Sequence, residues 1–158
     1  MLNHLQSRAR DFQKSKVYKW EATLSDFYQS VALEDCASLV QTVWIIYSPR
    51  AKTIPKISFG RNGKIAWATD KRIHLPGKTR ILGIVLHEAV HSVLYPDISV
   101  THCPIFMLYL TDIYRRFGIG GIEIDLEKSA LDAKLQISEK NMIQVPITNR
   151  KRLVAKEQ

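Results

Sequence analysis

The stretch from Ile81 to Tyr95, ILGIVLHEAVHSVLY, limits the fold of this chain more than any other. Its apolar residues leave no polar face, so the helix they predict has to be enclosed on most sides, with the rest of the fold arranged around it. Three ionisable residues interrupt it, His87, Glu88 and His91, in the order H-E-x-x-H. Positions four apart lie one turn above each other on a helix, so both imidazoles can address one cation with Glu88 beside them. A pair of satisfied core histidines with a surface glutamate is the plainer alternative. It fits poorly, because this helix has little surface to offer and an unpartnered carboxylate is costly to bury.

Zinc takes neutral imidazole nitrogen. A catalytic zinc site needs three protein ligands and an open position for water, whose proton a nearby carboxylate can accept. His87 and His91 are therefore candidate ligands, Glu88 the candidate general base, and one Zn2+ the expected cofactor. His102, eleven residues after His91, is the candidate third ligand. Pro96 biases Tyr95 away from helical geometry and ends the first helix. Thr101 then offers an N-cap and Pro104 suits a first turn, while Phe106, Leu110, Ile113 and Phe117 recur at helical spacing before Gly118. A second helix is predicted to start at the ligand, and a chain reversal would bring that start back over the first helix.

At these residues the chain resembles a known group. HEAVH (87–91) and HCPIF (102–106) are similar to the H-E-x-x-H and H-G-P-x-F pair of SprT-like metallohydrolases. RDFQKSKVYKWE (10–21) resembles the R-D-x-Q-x-S-x-V-Y-x-W-E opening of an actinobacterial and phage branch, and with DCASLVQTVW (35–44) the resemblance spans about residues 8–137. It implies a small zinc-dependent, zincin-like fold with His87, His91 and His102 as ligands and Glu88 as general base. Peptide or protein is the implied substrate, with DNA-associated proteins a class worth testing. Two departures stand out. Cys103 replaces the usual glycine beside a ligand, where it could coordinate metal or serve as a small buried hydrophobe, the commoner role. The zinc ribbon of some relatives has no counterpart, since Cys36 and Cys103 are the only cysteines, so one metal is expected.

Periodicity supplies the remaining organisation, an α+β chain. Asp11 to about Gln29 reads as helix, and Leu33, Cys36, Val40, Val43, Trp44 and Tyr47 share one face of another, with Ile45-Ile46 as a candidate strand at its end. Ile57 and Phe59 alternate with polar residues ahead of Asn62-Gly63, a strong hairpin signal. Ile65 to Thr69 would return antiparallel, Arg72 to Leu75 would complete a small antiparallel meander, and the metal helix would begin near Thr79. Leu126 to Lys134 reads as helix and Met142 to Ile147 as strand. Residues 1–148 are expected to form a single domain, with 149–158 a basic, mobile tail. The charged N-terminus lacks a signal peptide's apolar run, nothing approaches a membrane span, and two separated cysteines suit a reducing compartment. The expected location is the cytoplasm, without a membrane partner.

The net charge is +8, and the stretch Ser48 to Arg80 holds nine basic residues against Asp70 alone, so the whole excess lies there. A basic patch on one element is the footprint of a polyanion. Lys56, Arg61, Lys64 and Arg72 are the candidate docking residues for DNA or substrate, and a solvated sheet face is the plainer alternative. The competing function is thus a nucleic-acid-associated binding module with a basic β-sheet and a structural or non-catalytic zinc. Trp67 is expected in the core, with base stacking as its alternative role. Tyr95, Tyr109 and Tyr114 are all candidate donors to an oxyanion. His74 reads as a surface or capping residue.

Overall fold

The computed structural model describes residues 11–60, 63–95 and 101–140. Among these residues there are five α-helices and three short strands: α1 (Lys14–Glu21), α2 (Leu33–Tyr47), β1 (Lys56–Ser58), β2 (Trp67–Ala68), β3 (Arg72–His74), α3 (Leu82–Leu94), α4 (Pro104–Arg116) and α5 (Leu126–Asp132), with a 3-10 turn at Gly77–Thr79 ahead of α3. The fold is α+β, as expected. The strand expected at Met142 to Ile147 and the tail at 149–158 lie outside the described residues.

Helix α3 is the centre. All of its residues except Ile84 are buried, and it packs against α2, α4, β2 and β3. This is what an apolar stretch without a polar face requires. Its first turn lacks a side-chain cap, and backbone replaces it: Leu82 N–H donates to the Gln29 carbonyl at 2.8 Å and Gly83 N–H to the Phe27 carbonyl at 2.9 Å. Ser30 and Ile81 form an antiparallel bridge at the same place. Segment 27–31 thereby satisfies two N–H groups that every helix start leaves without an internal partner. Further along α3, the Trp44 indole N–H donates to the Ser92 hydroxyl at 3.2 Å and ties α2 to it.

Several expectations need correcting. The first helix is shorter than Asp11 to Gln29. After Glu21 the chain turns, with the Thr23 hydroxyl on the Trp20 carbonyl and Asp26 at φ +62°, and so carries Phe27 over the start of α3. Ile45 and Ile46 belong to α2 rather than to a strand. The antiparallel meander is not formed. The strand order is β1-β3-β2, β1 pairs parallel with β3, and β2 pairs antiparallel with β3, so no hairpin joins β1 to β2. A central β3 buries Ile73 completely against α3, which a hairpin of β1 and β2 would have displaced to the edge. Cys103, not Thr101, is the N-cap of α4, Pro104 opens the helix, and His102 lies just outside it. Trp67 is not in the core: it is 44% exposed and its ring stacks on His74.

Candidate metal centre

Helix α3 places His87 and His91 on one face, and the lead-in to α4 brings His102 against them. The three Nε2 atoms form a triangle with sides of 3.1 Å (His87 to His91), 3.0 Å (His87 to His102) and 3.3 Å (His91 to His102). All three residues are buried, and among the described residues they are the one group of this kind able to hold a metal ion. The Phe106 ring lies against all three imidazoles, stacked on His91 at 4.1 Å.

Two carboxylates orient the rings. His87 Nδ1 is 2.6 Å from Glu21 Oε1, and His102 Nδ1 is 2.6 Å from Asp11 Oδ2, which also accepts from the His102 backbone N–H at 3.1 Å. With the proton of each ring on Nδ1 toward its carboxylate, the Nε2 atoms of His87 and His102 point lone pairs at each other across 3.0 Å. Two lone pairs cannot share a hydrogen bond. His91 could donate one proton into the triangle, so at least one repulsive contact persists until a cation enters. The donor set therefore fits a metal ion.

Gln13 completes the frame. Its amide donates to the His102 carbonyl at 2.7 Å and accepts from Gln136 N–H at 2.8 Å, which binds the ligand loop to the segment after α5. Behind Glu21, the Tyr114 hydroxyl lies 2.5 Å from Glu21 Oε1 and 3.0 Å from the Gly83 carbonyl oxygen, the two acceptors between which its single proton is shared.

Burial dominates the electrostatics. It pushes His87 and His91 well below the usual imidazole range, with the charge of neighbouring histidines adding to the effect, so both are neutral and available as ligands. It raises Glu88 to about 8, with the Glu21 charge contributing. Glu21 is raised to about 8 by burial, against the opposing pull of the Tyr114 hydrogen bond and the His102 charge. For Asp11 burial works upward, but the hydrogen bonds and charge of His102 outweigh it and the net shift is down. A dication at the three Nε2 atoms would draw protons off both glutamates.

The expected site residues separate into two groups. His87, His91 and His102 come together, and Glu88, next to His87 on α3, lines a cavity with it. The basic residues do not form one patch: Lys56 and Arg72 are register partners on the exposed face of the sheet, Lys64 lines a cavity beside Glu88, and Arg61 lies outside the described residues. Among the tyrosines, Tyr114 spends its hydroxyl on Glu21 and Gly83, and Tyr109 is buried with its ring against Tyr47. Cys103 is half-buried against the core and is not a member of the histidine cluster.

Asp11, Gln13, Tyr18 and Glu21 were given no role from the sequence, although all four are fixed positions of the motif quoted for residues 10–21. Tyr18 lies with its ring 5.8 Å from that of His87 and 5.4 Å from that of His102, and burial with the charge of Glu88 raises its phenol to about 12. Spacing gave a second signal. Glu21 is four residues after Val17 and beside Trp20, so a carboxylate falls on the buried face of α1.

No family model, curated protein or solved structure matches the chain. No helix among the described residues is long and apolar enough to cross a membrane.

Proposed function

We propose that this chain is a zinc-dependent metallohydrolase, a peptidase of minimal zincin-like design related to the SprT-like group. His87, His91 and His102 are its metal ligands and Glu88 its general base. The observation that carries the reading is the buried Nε2 triangle with Glu88 beside it. Tetrahedral zinc with Zn–N bonds of about 2.0–2.1 Å sets its ligand atoms about 3.3–3.4 Å apart. The observed triangle needs only a slight opening to receive it. Three nitrogens and no oxygen ligand also favour zinc over calcium or magnesium.

Bound there, the ion would supply the Lewis acidity that acidifies water and polarises a carbonyl. Glu88 takes a proton from the attacking water and delivers it to the departing amine. Tyr18, protonated at neutral pH and set against two ligand rings, is the hydroxyl we assign to the oxygen that gains charge. Glu21 and Asp11 hold the tautomers of His87 and His102. Strand β2 is an edge of the sheet and packs on α3, which suits capture of an extended peptide by strand addition.

Purified protein should carry about one equivalent of zinc. Glu88→Gln should keep zinc and fold while losing ~10² or more in turnover of an unstructured protein, and Tyr18→Phe should lose ~10² with zinc content unchanged. Equal rates for Glu88→Gln and wild type would sink the mechanism.

A second reading, a nucleic-acid-binding surface, is favoured by the exposed face of the sheet. Lys56 and Arg72 are directly opposed there, and the Trp67 ring lies on His74 in the next row. The described ion pairs of lysine and arginine involve Arg115, Arg116, Lys128 and Lys140 and no residue of the basic stretch. A phosphate backbone would relieve that like-charge pair, and the salt dependence of binding to single-stranded DNA measures it.

A further inference from the structure

The stretch that caps α3 has a second edge. Ser30 bridges Ile81 through its neighbours: Val31 N–H donates to the Arg80 carbonyl at 3.0 Å, and Leu82 N–H to the Gln29 carbonyl at 2.8 Å. In an antiparallel pair bonded this way, the N–H and C=O of the central residue point away from the facing strand. Those of Ser30 therefore point outward. By the same alternation so does the N–H of Ala32, whose φ of −61° and ψ of 148° keep it extended. None of these three groups has a partner among the described residues, and Ser30 and Ala32 are both exposed.

A groove of about 370 Å³ opens along this edge. Its other wall is α2, which contributes Asp35, Ser38, Leu39 and Thr42, a stripe at the spacing of one helix face. No wall residue is shared with the cavity beside Glu88. Asp35 is the one charged residue lining the groove. It is exposed, as is Glu34 beside it, and neither carboxylate is in an ion pair among the described residues. An edge of unpaired backbone is a template for another strand, and proteins that keep one closed place lysine or proline on it. Residues 29–32, Gln-Ser-Val-Ala, have neither.

We propose that residues 29–32 and the facing stripe of α2 form a docking groove for an extended segment of another protein that carries lysine or arginine. An incoming antiparallel strand exchanges two hydrogen bonds with Ser30 and accepts a third from Ala32 N–H, which fixes its register. Asp35, with Glu34 beside it, selects for a cation and repels an acidic segment. Leu39 and Leu82 give apolar contact to alternate side chains of the strand. Docking here requires no chemistry at the metal centre, so it stands or falls apart from the hydrolase reading.

The test is amide hydrogen exchange followed by NMR on the full chain with zinc present. The probe is a short capped peptide of alternating Lys and Val, and the control is its Glu-Val counterpart. In the free protein, the Ser30 and Ala32 amides should exchange freely while Val31 is protected by its bond to Arg80. The Lys-Val peptide at ten times its Kd should slow exchange at Ser30 and Ala32 by about 10-fold, because the groove is then free for about a tenth of the time. The Glu-Val peptide should leave both amides unchanged. Ala32→Pro suits the native φ and follows an extended residue, yet removes one outward donor, so it should weaken binding of the labelled Lys-Val peptide by ~10-fold in fluorescence anisotropy. Asp35→Asn should weaken it by ~3-fold and flatten its salt dependence. Circular dichroism checks that both variants are folded. Equal protection by the two peptides, or binding that leaves Ser30 and Ala32 unprotected, overturns the proposal, as does no binding. Wild-type affinity in Ala32→Pro overturns strand addition. Protection of both amides in the free protein that fades on dilution would show that a second copy of this chain fills the groove, and would overturn the choice of partner.

Discussion

An imidazole offers a lone pair from one nitrogen only when the other holds the proton, and at this centre Asp11 and Glu21 decide which nitrogen that is. Each takes an Nδ1 at 2.6 Å, from His102 and His87 respectively. Asp11→Asn and Glu21→Gln keep the size of the side chain and remove its charge, so they should weaken zinc binding by ~10–100-fold without touching a ligand. Competition with a chromogenic chelator gives the affinity. Wild-type affinity in both variants would mean that packing alone, with Phe106 against the rings, orients the imidazoles. At this scale the ligands and the base were legible in the sequence because helical spacing is local: His87, Glu88 and His91 need only one turn of α3 to meet. The motif at 10–21 marked Asp11, but its partner was not legible, because 91 residues separate it from the ring it serves and no periodicity connects them.

Helices declare themselves through periodicity, and α2, α3 and α5 lie close to where their apolar residues put them. The sheet was less legible. Asn62-Gly63 favours a tight turn, but the observed order places β3, with its fully buried Ile73, between β1 and β2. One glycine belongs to this scale as well. Gly83 sits in the first turn of α3, where helix propensity would favour alanine by up to about 1 kcal/mol. A Cβ there would stand 2.0 Å from Cδ2 and 2.2 Å from Cε2 of Phe27, a buried ring. Overpacking of this kind costs about 1–3 kcal/mol, so Gly83→Ala should lower the urea midpoint even though it improves the helix. It should also alter the cavity that Phe27 lines. A raised midpoint would show that Phe27 can swing aside, and that segment 27–31 holds α3 through its backbone bonds alone.

Across the whole molecule, charge and chemistry are segregated. The metal centre is built by α1, α3 and the start of α4, and the excess of +8 belongs to residues 48–80, which supply the sheet and its flanks. Composition made that excess visible, but only the register showed how it is distributed. Lys56 faces Arg72 on the outer face, Trp67 faces His74 beside them, and Lys64 belongs to the cavity instead. If the outer face meets phosphates, affinity for single-stranded DNA should fall steeply with salt, because each neutralised phosphate releases counterions. Replacing both Lys56 and Arg72 by Gln should reduce the log–log slope by about 1.4, at ~0.7 for each phosphate left without its cation. Trp67→Ala should weaken binding at every salt concentration without changing the slope, because stacking on a base is uncharged and contributes about 1–3 kcal/mol. Fluorescence anisotropy between ~50 and ~200 mM salt, where electrostatic binding changes most, separates these effects. Zinc content should stay at the wild-type value in all of the variants, and cleavage of a short unattached peptide in the Lys56 and Arg72 double variant, since none of these side chains belongs to the histidine cluster. A slope unchanged in the double variant would remove Lys56 and Arg72 from any role at phosphates, and no binding at ~50 mM salt would reduce the face to a solvated surface that keeps edge strands apart by repulsion.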